Sequence, residues 1–335
     1  LVGGIVVPGP GIALGHIEAS RFFFGVSATF APLLTALLLY RAMVAAPLFA
    51  GVFRAPAYFT ELWVGLGLTA FVLLAVLYLL KIFRNREAVK GEFLNPATVG
   101  FCGTLPVGMS LVAGGLAPYA ELTHYLSALA NGVWWTSLAL FAAFFGFGAW
   151  RVLREAALKN VYPAQLVLFV GGIVFPGSGI ALGHVDATRI VFTISALAAI
   201  PLYFALLTRA VRGPALPEPM RPTWFILLVP PSLIGAHGAA LFPDAAVLAW
   251  LYLAALAVLA GVLWYARTLA RWPFSPAWWS LTFPLDALAY AGVRYAQQNP
   301  GAPWRGVAAF LLLLATLVVA FVLARTLRSA ASRAA

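Results

Sequence analysis

Asp286 stands inside an apolar run long enough to cross a bilayer, three residues after Phe283. In a helix the two share a face. A lone ionised carboxylate at that depth costs at least about 2.5 kcal/mol, so it must be protonated, hydrogen-bonded, paired or wet. Two chemistries follow. The carboxyl can make a polar contact between helices. Alternatively it can titrate and couple protons to transport, with His237, on another apolar run, as the candidate partner. His16, His124 and His184 fall near the ends of apolar runs, where an interfacial place is expected rather than a ligand role.

Other chemistry finds little footing. Gly9-Pro-Gly-Ile-Ala-Leu-Gly15 and Gly177-Ser-Gly-Ile-Ala-Leu-Gly183 are rich in glycine but lack dinucleotide spacing and a strand-turn-helix setting. In an apolar helix such small residues let backbones approach. No His-Glu-x-x-His pattern occurs, and scattered Ser, His and Asp give no triad. Cys102 is alone, which removes a disulfide or a cysteine metal site within one chain. No catalytic residue, metal or cofactor is expected.

The elements that must position these residues are membrane helices. Hydrophobic residues make up 63% of the 335-residue chain and charged residues 9%, against roughly 25% charged in soluble domains. Ten segments have spanning length: 22–43, 59–84, 95–117, 123–150, 163–184, 188–210, 222–242, 245–267, 275–296 and 304–325. They lack the alternation of a barrel strand. Five runs end in basic knots, centred on Arg84, Arg154, Arg212, Arg271 and Arg328, at intervals of 70, 58, 59 and 57 residues. Each interval holds two spans. The unit is therefore a helical hairpin that starts and ends on one face, repeated five times, and a ring of hairpins implies a central pore. Short loops rich in Lys and Arg are expected in the cytoplasm. The net charge of +11 is thus assigned to topology and anionic headgroups, not to nucleic acid.

Proline sorts the segments. Those opening at 95, 163, 222 and 275 contain Pro106, Pro176, Pro230 with Pro231, and Pro284. Interior prolines are expected to kink these helices, and a break at membrane depth is tolerated where freed carbonyls face protein or a wet cavity. Kinked helices are therefore placed inside, lining the pore, with the straighter ones at 123, 245 and 304 outside. Pro201, in segment 188–210, breaks this rule.

Three stretches carry a resemblance. Glu87-Ala-Val-Lys90 with Glu92, Phe93 and Pro96, then Arg221-Pro-Thr-Trp-Phe-Ile-Leu-Leu-Val-Pro-Pro231, then Ala277-Trp-Trp-Ser-Leu-Thr-Phe-Pro284, run in order over about residues 80–300. They resemble the plant slow-type anion channels and the wider tellurite-resistance/dicarboxylate transporter family. The resemblance implies an all-α integral membrane protein of ten transmembrane helices. These form five hairpins with quasi-fivefold symmetry around a central pore, lined by the odd-numbered helices, usually in a homotrimer. It also implies a phenylalanine that plugs the pore, which falls on Phe283. An apolar ring across a narrow bore excludes water, and a dehydrated anion there is costly. Asp286 departs from the plant pattern.

The expected function is a gated channel for small anions such as chloride or nitrate. The alternative is a proton-coupled transporter of malate, sulfite or a tellurite-type oxyanion, with Asp286 and His237 as the coupling pair. The expected partners are small inorganic or carboxylate anions, the lipid bilayer and further copies of the chain, and the expected location is a bacterial inner membrane. Residues 22–330 are read as the channel domain and 331–335 as a short cytoplasmic tail. Residues 2–21 repeat at 170–189 with 15 of 20 positions identical, so 1–21 stands apart as a segment of uncertain role. The first residue is Leu, so the sequence is expected to begin after the natural start.

Overall fold

A computed structural model describes residues 57–154, 158–245 and 247–334, and every regular element among them is helical. Eleven α-helices follow in order: α1 (Ala57–Arg84), α2 (Arg86–Leu94), α3 (Thr104–Leu116), α4 (His124–Arg154), α5 (Gln165–Val170), α6 (Pro176–Ala181), α7 (Val185–Arg212), α8 (Val229–Leu241), α9 (Val247–Tyr265), α10 (Thr282–Gln298) and α11 (Ala302–Ala334). Seven described stretches are long and apolar enough to cross a membrane. Of the ten expected spans, 22–43 lies outside the described residues, as does the first copy of the repeat. The other nine coincide with helical segments. The residues expected as a tail after 330 continue α11 to Ala334.

Two layers separate cleanly by burial. In Val99–Tyr119 and Glu218–Leu241, 72% and 78% of the stretch is buried. In His124–Val152, Val185–Arg212, Trp250–Leu269 and Ala302–Ser329 the shares are 22%, 33%, 28% and 22%. The proline-rich inner segments are therefore inside, and the long continuous helices present apolar side chains such as Phe204, Trp250 and Phe310 outward.

The prolines do not kink helix interiors as expected. Each inner segment instead changes helix type. Val99–Gly103 is 3₁₀ and passes into α3; Glu218–Leu228 is 3₁₀ and passes into α8; Pro276–Leu281 is 3₁₀ and passes into α10. Between α5 and α6 the turn Gly171–Val174 is also 3₁₀. Pro106, Pro176, Pro230, Pro231 and Pro284 all fall within the first three residues of the α-helix that follows. There a missing N–H costs little, because first-turn amides lack an α-helical acceptor. Pro201 lies inside the unbroken α7, on its exposed side.

The packing repeats. Inner segments lie side by side in chain order: the segment of α3 against α5 and α6, these against α8, and α8 against α10. Each of the outer helices α4, α7 and α9 packs on the inner segment before it and the one after it; α1 meets α3, and α11 packs on α10. Glycine permits the closest approaches. A Cβ on Gly100 would lie 2.0 Å from the carbonyl oxygen of Ala164, and one on Gly179 would lie 1.9 Å from Thr188 Oγ1. Gly183, at φ +80°, turns the chain from α6 into α7. The glycine-rich run 177–183 thus serves packing and turning.

Candidate pore and gate

Phe283 is the second residue of α10, at the junction with the 3₁₀ turn. From 277 to 293 every residue is buried except Phe283, which is only partly so. Its ring packs against the main core while keeping some exposed surface. The junction before α3 has the same design. Thr104-Leu105-Pro106 matches Thr282-Phe283-Pro284, and Leu105 is likewise half-buried between buried neighbours. In both, the threonine hydroxyl donates to the carbonyl three residues back, Thr104 to Phe101 and Thr282 to Trp279, each at 2.6 Å. A change of helix type disturbs the regular ladder, and these hydroxyls occupy carbonyls beside it.

Neighbouring elements satisfy other carbonyls at or beside the breaks. Ser137 of α4 donates to Pro106 O at 2.6 Å, and Tyr203 of α7 donates to Leu227 O at 2.9 Å. His237 of α8 lies 2.6 Å through Nδ1 from Ile173 O, in the 3₁₀ turn between α5 and α6. A carbonyl only accepts, so Nδ1 carries the proton. His237 is 2% exposed, and its ring meets that of Tyr290 edge-on at 5.1 Å. Its Nε2 makes no hydrogen bond. No hydrogen bond therefore joins His237 to Asp286, although α8 and α10 pack together. Asp286 has no exposed surface. Of the other histidines, His184 lies 2.6 Å through Nε2 from Asn131 Oδ1 and stacks near Trp134. His124 is exposed at the start of α4, and His16 lies outside the described residues.

The basic loops do more than the sequence indicated. Arg151, at the end of α4, donates to the carbonyls of Phe93 and Leu94, which precede the inner segment of α3. Arg209, near the end of α7, donates to Lys159 O at 3.0 Å and Val161 O at 2.5 Å and stacks on Tyr162, ahead of α5. Arg325 of α11 stacks on Phe274, ahead of α10. In each case an arginine late in the outer helix clasps the chain just before its own inner segment. Lys81 is buried and pairs with Glu92, and Phe93 packs against Phe144 of α4 at 5.8 Å. Sequence reasoning missed these clasps because an arginine that orients a loop and one that also ties it read alike. Among the described residues no cluster of His, Cys, Asp or Glu could hold a metal ion.

Comparison with known proteins decides the affiliation. The profile of the SLAC1 family, described as voltage-dependent anion channel, matches residues 52–327. The chain belongs to the SLAC1 family. It is 26% identical to the S-type anion channel SLAH2 of Arabidopsis thaliana over 284 residues, covering 80% of this chain and 51% of the plant protein. Against SLAH3 of the same plant it is 25% identical, covering 79% and 42%. Against the guard cell S-type anion channel SLAC1 it is 23% identical, covering 78% and 47%. The chain thus spans about half the length of these relatives. The family is one of integral membrane anion channels, not of enzymes.

Proposed function

We propose that this SLAC1-family chain is a gated channel for small anions such as chloride or nitrate, occluded by Phe283. The observation that carries the gate is the partial exposure of Phe283 in a run otherwise buried from 277 to 293. A side chain with open surface in the middle of a buried inner segment borders a space, and an apolar ring there dewets it. In this reading the inner segments line the pore, with Pro106, Pro176, Pro230, Pro231 and Pro284 starting their α-helical halves. The same reading has ten helices in five hairpins with quasi-fivefold symmetry. The channel domain is 22–330. The protein assembles as a homotrimer with one pore per protomer in a bacterial inner membrane, its basic loops in the cytoplasm.

Asp286 distinguishes this from a proton-coupled dicarboxylate or oxyanion transporter. Its complete burial and the absence of a hydrogen bond to His237 support a polar contact within the helix packing. In proteoliposomes loaded with chloride, Asp286→Asn added to the open Phe283→Ala variant should keep anion flux within about twofold of Phe283→Ala alone, and that flux should ignore an imposed pH gradient. Flux that follows the pH gradient and vanishes in Asp286→Asn would replace the channel reading with the coupled one.

A further inference from the structure

The 3₁₀ turn Pro276–Leu281 lies just ahead of Phe283, and one stretch of α11 grips it. The indole Nε1 of Trp279 donates to Thr326 Oγ1 at 3.2 Å. Thr326 Oγ1 in turn donates to Val322 O at 2.8 Å. The hydroxyl thus places its proton on its own helix and a lone pair on the turn. Beside this tie, the Phe321 ring meets that of Trp278 at 6.0 Å, and Arg325 lies over Phe274 at 5.4 Å. Trp278 gives its own indole N–H to Pro273 O at 3.0 Å, so it is Trp279 that reaches α11 by a hydrogen bond.

From Trp279 the connection to the ring is short. Its carbonyl accepts from Thr282 Oγ1 at 2.6 Å, and Phe283 is the next residue. One residue is therefore held by α11 through its side chain and by the start of α10 through its backbone. Trp279 is buried, so the tie is shielded from competing water, while Thr326 is only partly buried on the outer helix. The tie is particular to this segment. Five residues before the first-turn proline, the other inner segments carry Phe101, Gly171 and Phe225. None of these has a side-chain donor.

We propose that Thr326 is a positioning residue for the gate: through the Trp279 indole it holds the 3₁₀ turn so that the Phe283 ring stays in the bore. This rests on the reading of Phe283 as the gate. A single ring closes a narrow bore in one position, so freedom at the turn lets water and anions past it.

The test is resting anion current per folded protein, measured with the purified full chain in planar bilayers under a chloride gradient. Thr326→Val keeps the side-chain shape and removes the hydroxyl. It should raise resting current over the native chain about threefold to tenfold, the population shift that one hydrogen bond is worth. Thr326→Ser keeps the hydroxyl and should match the native chain. Added to Phe283→Ala, Thr326→Val should change nothing, because no ring remains to be positioned. Trp279→Phe removes the donor from the other side and should leak like Thr326→Val; it decides the matter if Thr326→Val does not fold. Native-like current from Thr326→Val beside a conducting Phe283→Ala would overturn the positioning role alone. So would a leak shared by Thr326→Ser, or the same gain in the Phe283→Ala background. Silence from a folded Phe283→Ala would overturn the gate and the positioning role together.

Discussion

Phe283 and His237 play opposite parts in the inner layer. Phe283 keeps surface in a buried run, while His237 gives up its surface to mend a break. The 3₁₀ turn at Gly171–Val174 exposes Ile173 O to a neighbour, and His237 Nδ1 supplies the donor. His237→Phe keeps the ring but removes the donor, leaving a buried carbonyl unsatisfied. It should lower stability in detergent by about 1–2 kcal/mol, with anion flux per folded protein unchanged when both are compared in the Phe283→Ala background. Unaltered stability, or a loss of flux without a loss of stability, would return His237 to the list of coupling residues.

At the scale of elements, the inner layer is built from segments that change helix type beside their prolines. The number and order of the described segments were legible in the sequence, because apolar length and the basic knots mark each span end. The inside placement of the proline-bearing segments was legible too. What proline does there was not: in a sequence, a first-turn proline after a 3₁₀ turn cannot be told from one in mid-helix. Segment 163–184, read as one span, is two short helices for the same reason. The clasps by Arg151 and Arg209 were invisible because they involve backbone carbonyls about fifty residues away. Glycine gives the sharpest check on the layer contacts. A Cβ at Gly100 would strike the backbone of Ala164, whereas Gly132 on the outer α4 has nothing within 4 Å. Gly100→Ala should prevent folding or depress the melting temperature sharply. Gly132→Ala should be neutral or stabilise by up to about 1 kcal/mol. Equal behaviour of the two would contradict the close packing of the segment of α3 against α5.

At the scale of the whole molecule, the proposed repeat of hairpins fixes which ends share a face. Lys90 is exposed on the basic face, and Tyr125 is exposed at the opposite end of α4. In a Cys102→Ala background, Lys90→Cys should react with a membrane-impermeant maleimide only from the cytoplasmic side, and Tyr125→Cys only from the other. The reverse pattern would invert the proposed topology. The central proposal is a pore closed by one ring. The most direct measurement is current through the purified protein in a planar bilayer under a chloride gradient, native chain against Phe283→Ala. Little current is expected from the native chain and a large one from Phe283→Ala, reversing near the chloride equilibrium potential. Silence from a folded Phe283→Ala, or a current that reverses at the cation potential, would contradict it.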